Sequence, residues 1–384
     1  MKVLFTSGIF PPDIGGPARM IEQLVTDLSQ KKVDVTVLAF NKKKVTPHPF
    51  VVCKTQSKWV FCYKLWQLAC KVDLVYTCDL YTAGFLSWLI GKKLLRKKLI
   101  VRFAGDSAWE SALNKKQTKD DIVSFQKKKY SWQVELMKRF RSWVLKSADQ
   151  VIAVSNFMKE VAQLIGVETS KIEVIYNSVD FVEKGHSVAL DIKKKLGILS
   201  GEKIIMTAGR LVPWKGVDGL IKVAVELKKN QTVLPFKIIV VGDGPDKEKL
   251  EKLASDLGVK DLIVFVGKIP LEQIFNYYAI ADVFILNSQY EGLSHVLLEV
   301  LSLGRPIIAS ACGGNLEVIE NEKNGLLVEY NNVGEIVLAI KRILTEEKWQ
   351  GVEYQNICQT SLFKFNWQQV VENTLAVFNK VLKT

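Results

Sequence analysis

Histidine is scarce in this 384-residue chain, with only His48, His186 and His295. The six cysteines (Cys53, Cys62, Cys70, Cys78, Cys312, Cys358) form no C-x-x-C and pair with no histidine motif. That excludes the common zinc-ligand spacings, and in an enzyme-sized chain it reads as reduced thiols. Long apolar runs are missing as well. The charge-free stretch from Leu80 to Gly91 falls short of the ~20 residues a membrane-spanning helix needs. The opening MKVLFTSGIFPPD has one lysine and an apolar run broken by Pro11 and Pro12, so no secretory leader is expected. Proline (10) and glycine (24) are not in excess, and 48% hydrophobic with 24% charged residues excludes disordered and fibrous classes. The length is two to three domains' worth at ~150 residues each. Each of two domains can bury its own core.

Acidic residues are in deficit on one side only. Residues 1–180 hold 29 Lys and Arg against 16 Asp and Glu, whereas residues 181–384 hold 24 of each. The whole net charge of +13 therefore sits in the first half. Such asymmetry points to an anionic partner for that half, a membrane surface or a nucleic acid.

Short β-branched runs alternate with longer helical patterns. Strands are predicted at 3–7, 33–40, 74–76, 99–103, 151–154 and 172–175, then at 204–208, 237–241, 263–266, 283–286, 306–309 and 326–328. Most are continuous apolar runs, as in parallel sheets covered on both faces. Helical patterns at 18–31, 215–227, 247–257 and 333–344 fall between them. Six strands twice over predict an α/β chain of two doubly wound domains. Turn chemistry places the boundary between Ser178 and Lys203, giving domains 1–180 and 181–366. The tail from 367 is an amphipathic helix expected to return to the first domain.

Ligands of open parallel sheets bind beyond the carboxyl ends of the strands, so the loops after strands carry the candidates. Gly15-Gly16-Pro17 opens a helix after the first strand, where backbone N–H groups favour an anion; a tight turn uses the same residues. The pattern does not fit G-x-G-x-x-G, which argues against a dinucleotide fingerprint. Ala208-Gly209-Arg210-Leu211 and Pro213-Trp214-Lys215-Gly216 follow the first strand of the second half. Arg210 as a fork and Lys215 as a point charge are placed to meet one anion, or to stand as two solvated cations. Glu291 and Glu299 are separated by seven residues. Were the span helical, it would cover ~12 Å, about the distance from a sugar ring to the ribose of a nucleotide-sugar. Carboxylates accept from sugar hydroxyls at several sites; a satisfied core carboxylate is the plainer alternative for Glu299.

These segments together resemble the retaining glycosyltransferases of family 4, the glycosyl transferases of group 1. The likeness runs through Phe10-Pro11-Pro12, Gly15-Gly16, Tyr176-Asn177-Ser178-Val179-Asp180, Ala208-Gly209-Arg210-Leu211, Lys215-Gly216 and Val241-Gly242-Asp243-Gly244-Pro245. It continues through Val266-Gly267-Lys268, Asn287-Ser288, Glu291-Gly292, Glu299, Gly304-Arg305-Pro306, Gly313-Gly314 and Asn324-Gly325-Leu326. The resemblance implies the GT-B fold, two Rossmann-like domains facing across a cleft. It implies that Arg210 and Lys215 hold the donor diphosphate and that Glu299 binds the donor ribose. Glu291 then lies near the transferred sugar, with Gly292 and Leu293 contacting sugar and phosphate. Gly16 approaches the phosphates, and Lys268 and Ile269 lie where the family holds the nucleobase. No resident metal or other cofactor is expected; the co-substrate is a nucleoside diphosphate sugar of UDP or GDP type. Many relatives carry a histidine where this chain has Arg102-Phe103-Ala104-Gly105-Asp106. Asp106 is the polar group at that place, either orienting a sugar or capping the next helix. His295 is read as a helix residue first.

The basic excess concentrates in Lys92–Lys98 and Lys115–Lys146, with Phe125, Tyr130, Trp132, Phe140 and Trp143 interleaved. Such a pattern suits an anionic membrane surface; no nucleic-acid module is visible, and no nucleic acid is expected as partner. The combined expectation is a retaining hexosyltransferase of polysaccharide or glycolipid biosynthesis. It would be cytoplasmic, peripheral on the inner membrane face, and take a sugar or lipid-linked acceptor. A scaffold without turnover and a nucleotide-sugar epimerase on the same fold remain open.

Overall fold

The structure, a computed structural model, describes residues 1–11, 16–40, 50–179, 188–230 and 235–383. The chain divides into two compact units, Met1–Tyr176 with Trp367–Thr384, and Asn177–Asn366. Gly15, His48, Asp180 and His186 lie outside the described residues.

The first unit is built on seven strands: β1 (Lys2–Ser7), β2 (Asp34–Phe40), β3 (Val51–Thr55), β4 (Leu74–Thr77), β5 (Lys98–Phe103), β6 (Gln150–Ala153) and β7 (Ile172–Val174). All pairings are parallel, in the order β3-β2-β1-β4-β5-β6-β7. Strands β4 and β6 are buried along their whole length because helices cover both faces of the sheet. Successive β1 side chains show the two faces. Phe5 meets Phe378 of the terminal helix Trp367–Lys383, whereas Thr6 Oγ1 lies 2.8 Å from Ser87 Oγ on the other side. The terminal helix packs on Gly16–Gln30, and Trp367 Nε1 donates to Asp27 Oδ2 at 2.5 Å. The amphipathic tail is thus part of the first unit.

Six strands were expected here and seven are present among the described residues. The extra one, β3, buries only Thr55 among its five residues, and Lys54 and Thr55 cut its apolar run short.

The second unit has the six strands expected: β8 (Lys203–Ala208), β9 (Phe236–Val241), β10 (Ile263–Gly267), β11 (Val283–Leu286), β12 (Ile307–Ser310) and β13 (Leu326–Val328). Their order is β10-β9-β8-β11-β12-β13, again all parallel. The division between units falls at Tyr176–Asn177, ahead of the Ser178–Lys203 window. The side chains explain it: Asn177 Nδ2 donates to the Leu293 carbonyl at 3.0 Å, and Ser178 Oγ to that of Phe365 at 2.5 Å. Both residues are bound into the second unit.

Candidate active site

In the second sheet the strand order reverses between β8 and β11, which opens a crevice beyond their carboxyl ends. The loop after β8 carries Arg210 and Lys215, and the loop after β11 carries Glu291. The first of these loops ends in a short turn, Pro213–Lys215, closed by Gly216 at φ 59°. A Cβ at Gly216 would stand 2.1 Å from the Asn287 carbonyl oxygen, so glycine is required by both conformation and space. Lys215 leaves this turn with its Nζ 2.5 Å from Glu291 Oε1. Arg210 is exposed, and among the described residues it has no hydrogen-bonding or ionic partner. Gly209, Arg210 and Lys215 line one small recess with Val241 and Leu286.

Buried Asn287 holds this arrangement. Its Nδ2 donates to the Gly216 carbonyl at 2.8 Å and to Asn331 Oδ1 at 2.6 Å, and its Oδ1 accepts the Asn331 N–H at 2.9 Å. The loop after β9 presses on the start of the loop after β8. A Cβ on Gly242 would meet the Gly209 carbonyl oxygen at 1.9 Å, and one on Gly244 that of Leu211 at 2.2 Å. The glycines of Val241-Gly242-Asp243-Gly244 therefore let two loops lie backbone to backbone. Lys268, exposed, has its Nζ 3.8 Å from Asp243 Oδ2, and Ile269 beside it is half-buried.

The β11 loop is fixed from β12. The Gly314 N–H donates to the Glu291 carbonyl at 2.9 Å, and Cys312 Sγ to that of Ser288 at 3.0 Å. Burial, chiefly, pushes the Cys312 thiol up to about 12, so it stays protonated near neutrality. Ser294 caps helix His295–Ser302, accepting the Leu297 N–H at 3.3 Å. Glu291 therefore precedes the helix, and the wholly helical Glu291–Glu299 span entertained from the spacing does not occur. Glu299 lies on the helix, half-buried. Burial, then the charge and hydrogen bond of Glu299, hold the Tyr278 hydroxyl well above the usual tyrosine range. His295 is the first helical residue. Asn287, Asn331 and Tyr278 were given no role from sequence. An Asn ending an apolar strand was the available signal for the first.

In the first unit, Gly16 opens helix Gly16–Gln30 after β1. Asp106 is fully buried. It caps helix Ser107–Asn114 by accepting the Ala108 N–H at 3.1 Å. It pairs with Arg141 Nη1 and accepts from Gln126 Nε2 at 2.9 Å. Of the two readings the residues offered for Asp106, the cap is the one its contacts describe; its carboxylate is committed to the protein.

Residues 14–183 match the family model Glycosyltransferase Family 4, and residues 189–358 match Glycosyl transferases group 1. The chain belongs to glycosyltransferase family 4. An uncharacterized glycosyltransferase of Methanocaldococcus jannaschii is 27% identical to this family 4 chain over all of it and 99% of the relative. A second from that archaeon is 29% identical over 60% of this chain, which spans 59% of that relative's length. The GDP-mannose-dependent alpha-(1-6)-phosphatidylinositol monomannoside mannosyltransferase of Mycolicibacterium smegmatis is 34% identical over 39% of this chain and 41% of its own. Among solved structures, Anabaena HepE in complex with UDP-glucose superposes with a TM-score of 0.81, at 20% identity, over 99% of this chain and 100% of that one. At that identity the likeness is one of fold, and the two doubly wound units of the family 4 glycosyltransferase are those of GT-B.

Proposed function

We propose that this family 4 glycosyltransferase moves a hexose-type sugar from a UDP or GDP sugar to an acceptor hydroxyl, with retention at the anomeric carbon. The observation that carries the reading is the cation pair at the reversal point, with Lys215 held by Glu291 and Arg210 unengaged on the same loop. A diphosphate brings more negative charge than one carboxylate. It would draw Lys215 away from Glu291, engage the Arg210 fork, and release Glu291 to a sugar hydroxyl. The anomeric C–O bond to the phosphate then breaks as the acceptor oxygen bonds from the same face. The acceptor proton passes to the departing phosphate oxygen. The protein contributes positioning and charge stabilisation, and the scheme assigns no metal. Glu299 takes the ribose, and Lys268 and Ile269 flank the base.

The relative named for GDP-mannose and the fold neighbour holding UDP-glucose support a nucleoside diphosphate hexose as donor. A relative named for a phosphatidylinositol mannoside supports a lipid-linked or sugar acceptor in glycolipid or polysaccharide assembly, and the basic excess of residues 1–180 favours the inner face of an anionic membrane.

A thermal-shift screen with uridine and guanosine diphosphates and their sugars tests the donor, since a ligand bound only by the native state raises the melting temperature. One base series is expected to raise it, and the anomeric coupling of the product to report retention. Lys215→Ala and Glu299→Ala are expected to lower turnover ~100-fold or more with the fold intact. No shift with any nucleotide, or wild-type transfer by both variants, overturns the proposal.

A further inference from the structure

One helical layer of the first unit, Lys58–Ala69, Ser87–Leu94 and Trp132–Ser147, turns aromatic rings outward. Helix Lys58–Ala69 buries Phe61, Leu65 and Ala69, with Phe61 stacked on Phe40 at 4.0 Å. Its other face presents Trp59, Tyr63 and Trp66, spaced i, i+4, i+7 and exposed by 86%, 64% and 46%. Three large rings in a row on an outward face mark an interaction surface. The neighbouring segment Ser87–Leu94 packs against this helix and adds exposed Leu89 and Leu94. Behind them Trp88 stacks with Trp143 at 5.8 Å, and Lys93 Nζ lies 5.9 Å from the Trp88 ring.

Along the chain on either side of the rings, the charge has one sign. Residues 35–72 contain seven lysines and no Asp or Glu; residues 80–105 contain four lysines, two arginines and again no acid. Trp132–Ser147, the third member of the layer, carries Glu135, whereas Lys58–Ala69 and Ser87–Leu94 fall inside these stretches. Asp149, from outside them, answers Lys92 and Lys98 at 2.6 and 3.8 Å. Among the described residues Lys58, Lys64 and Lys93 have no carboxylate partner. By contrast, part of the basic-aromatic segment at 115–146 is internal. Lys138 is buried, donates to the Phe125 and Lys128 carbonyls, and sits over the Phe125 and Tyr130 rings.

We propose that the face centred on Trp59, Tyr63 and Trp66 docks on an anionic lipid bilayer. Tryptophan and tyrosine pair an apolar body with a polar edge, which suits the headgroup layer. The surrounding lysines meet lipid phosphates, an attraction confined to about a Debye length. Among the described residues no helix is long and apolar enough to cross a membrane, so this face lies on the surface. A second copy of the chain suits it poorly, because two such faces would bring like charges together. The proposal rests on the membrane reading above for its acceptor, but not on turnover.

Co-sedimentation of the full chain tests it, with vesicles of phosphatidylcholine alone and of an equal mixture with phosphatidylglycerol. The mixed vesicles are expected to pellet the protein at ~0.1 M salt and to lose it near ~1 M, where the Debye length falls to ~3 Å. Phosphatidylcholine alone should pellet little. The triple variant Trp59→Ala, Tyr63→Ala, Trp66→Ala should reduce binding ~10-fold or more, with an unchanged melting temperature because the rings are exposed. Lys58→Glu with Lys64→Glu should abolish binding without touching a ring. Lys215→Ala should pellet as wild type, so loss of transfer and loss of docking are read separately. Undiminished binding by both face variants, or binding to no vesicle, overturns the proposal. So does a concentration-dependent dimer that the triple variant dissolves while no vesicle binds.

Discussion

Lys215 and Glu291 meet at 2.5 Å in the crevice where the proposed donor diphosphate binds. On that proposal the carboxylate competes with the ligand for the same ammonium. Glu291→Gln removes the competing charge while leaving the shape, so affinity for uridine or guanosine diphosphate should rise ~2–10-fold even as sugar transfer collapses. Lys215→Ala should weaken the same affinity ~10–100-fold, the value of a charged hydrogen bond. Calorimetric titration of both variants checks this; an equal loss of nucleotide affinity in the two would refute competition. Arg210, Lys215 and Glu291 were legible as candidates because they lie beside glycines in loops after apolar strands. The role of Asn287 was not, since its partner is the Gly216 carbonyl 71 positions away. Asp106 was legible as a residue of interest but not as to role, because Arg141 and Gln126 reach it from segments whose proximity only the folded chain creates.

Elements were legible wherever burial on both sides left an uninterrupted apolar run. Strands β11 and β13 lie at the predicted residues. Edge strand β3 escaped because half-burial mixes Lys54 and Thr55 into the run. The stripe at 59, 63 and 66 was passed over for a related reason: helix Lys58–Ala69 is apolar on both faces, and sequence alone does not say which face is covered. Between elements, the turn before β13 is tied to helix Val333–Thr345 by Arg342, whose Nη1 and Nη2 donate to Glu322 at 2.6 and 2.8 Å. Hydrogen bonds from Arg342, then Lys348, pull the Glu322 carboxyl down to about 2 from its ordinary 4.5. The folded value is the lower one, so the stabilisation is present above about 4.5 and is lost as pH falls toward 2. Solvent screening of this exposed group limits it to about 1 kcal/mol. Glu322→Gln should therefore lower the melting temperature by ~2–4 °C at neutral pH. Scanning calorimetry should show the gap to wild type closing under acid; a gap that widens there would contradict the assignment.

For the whole molecule, the basic excess and the proposed chemistry separate. The first unit holds the basic excess and the outward aromatic face. The second holds Arg210, Lys215, Glu291 and Glu299. Each has its own sheet and core, so two-state unfolding of the entire chain is not expected. Calorimetry should resolve two transitions, and a nucleoside diphosphate should raise the one belonging to Asn177–Asn366. At a hundredfold excess over its dissociation constant the ligand contributes ~2.7 kcal/mol. For a unit of this size ~2–4 °C accompanies each kcal/mol, giving a shift of roughly 5–10 °C. Lys215→Ala, with affinity ~10–100-fold weaker, should shrink that contribution to ~0.4–1.4 kcal/mol at the same ligand concentration, and should itself lower the transition of the second unit in the free protein, because it leaves the buried Glu291 carboxylate unpaired. Equal movement of both transitions with nucleotide, or a single transition whose calorimetric and van't Hoff enthalpies agree, would place the ligand's grip outside the second unit alone.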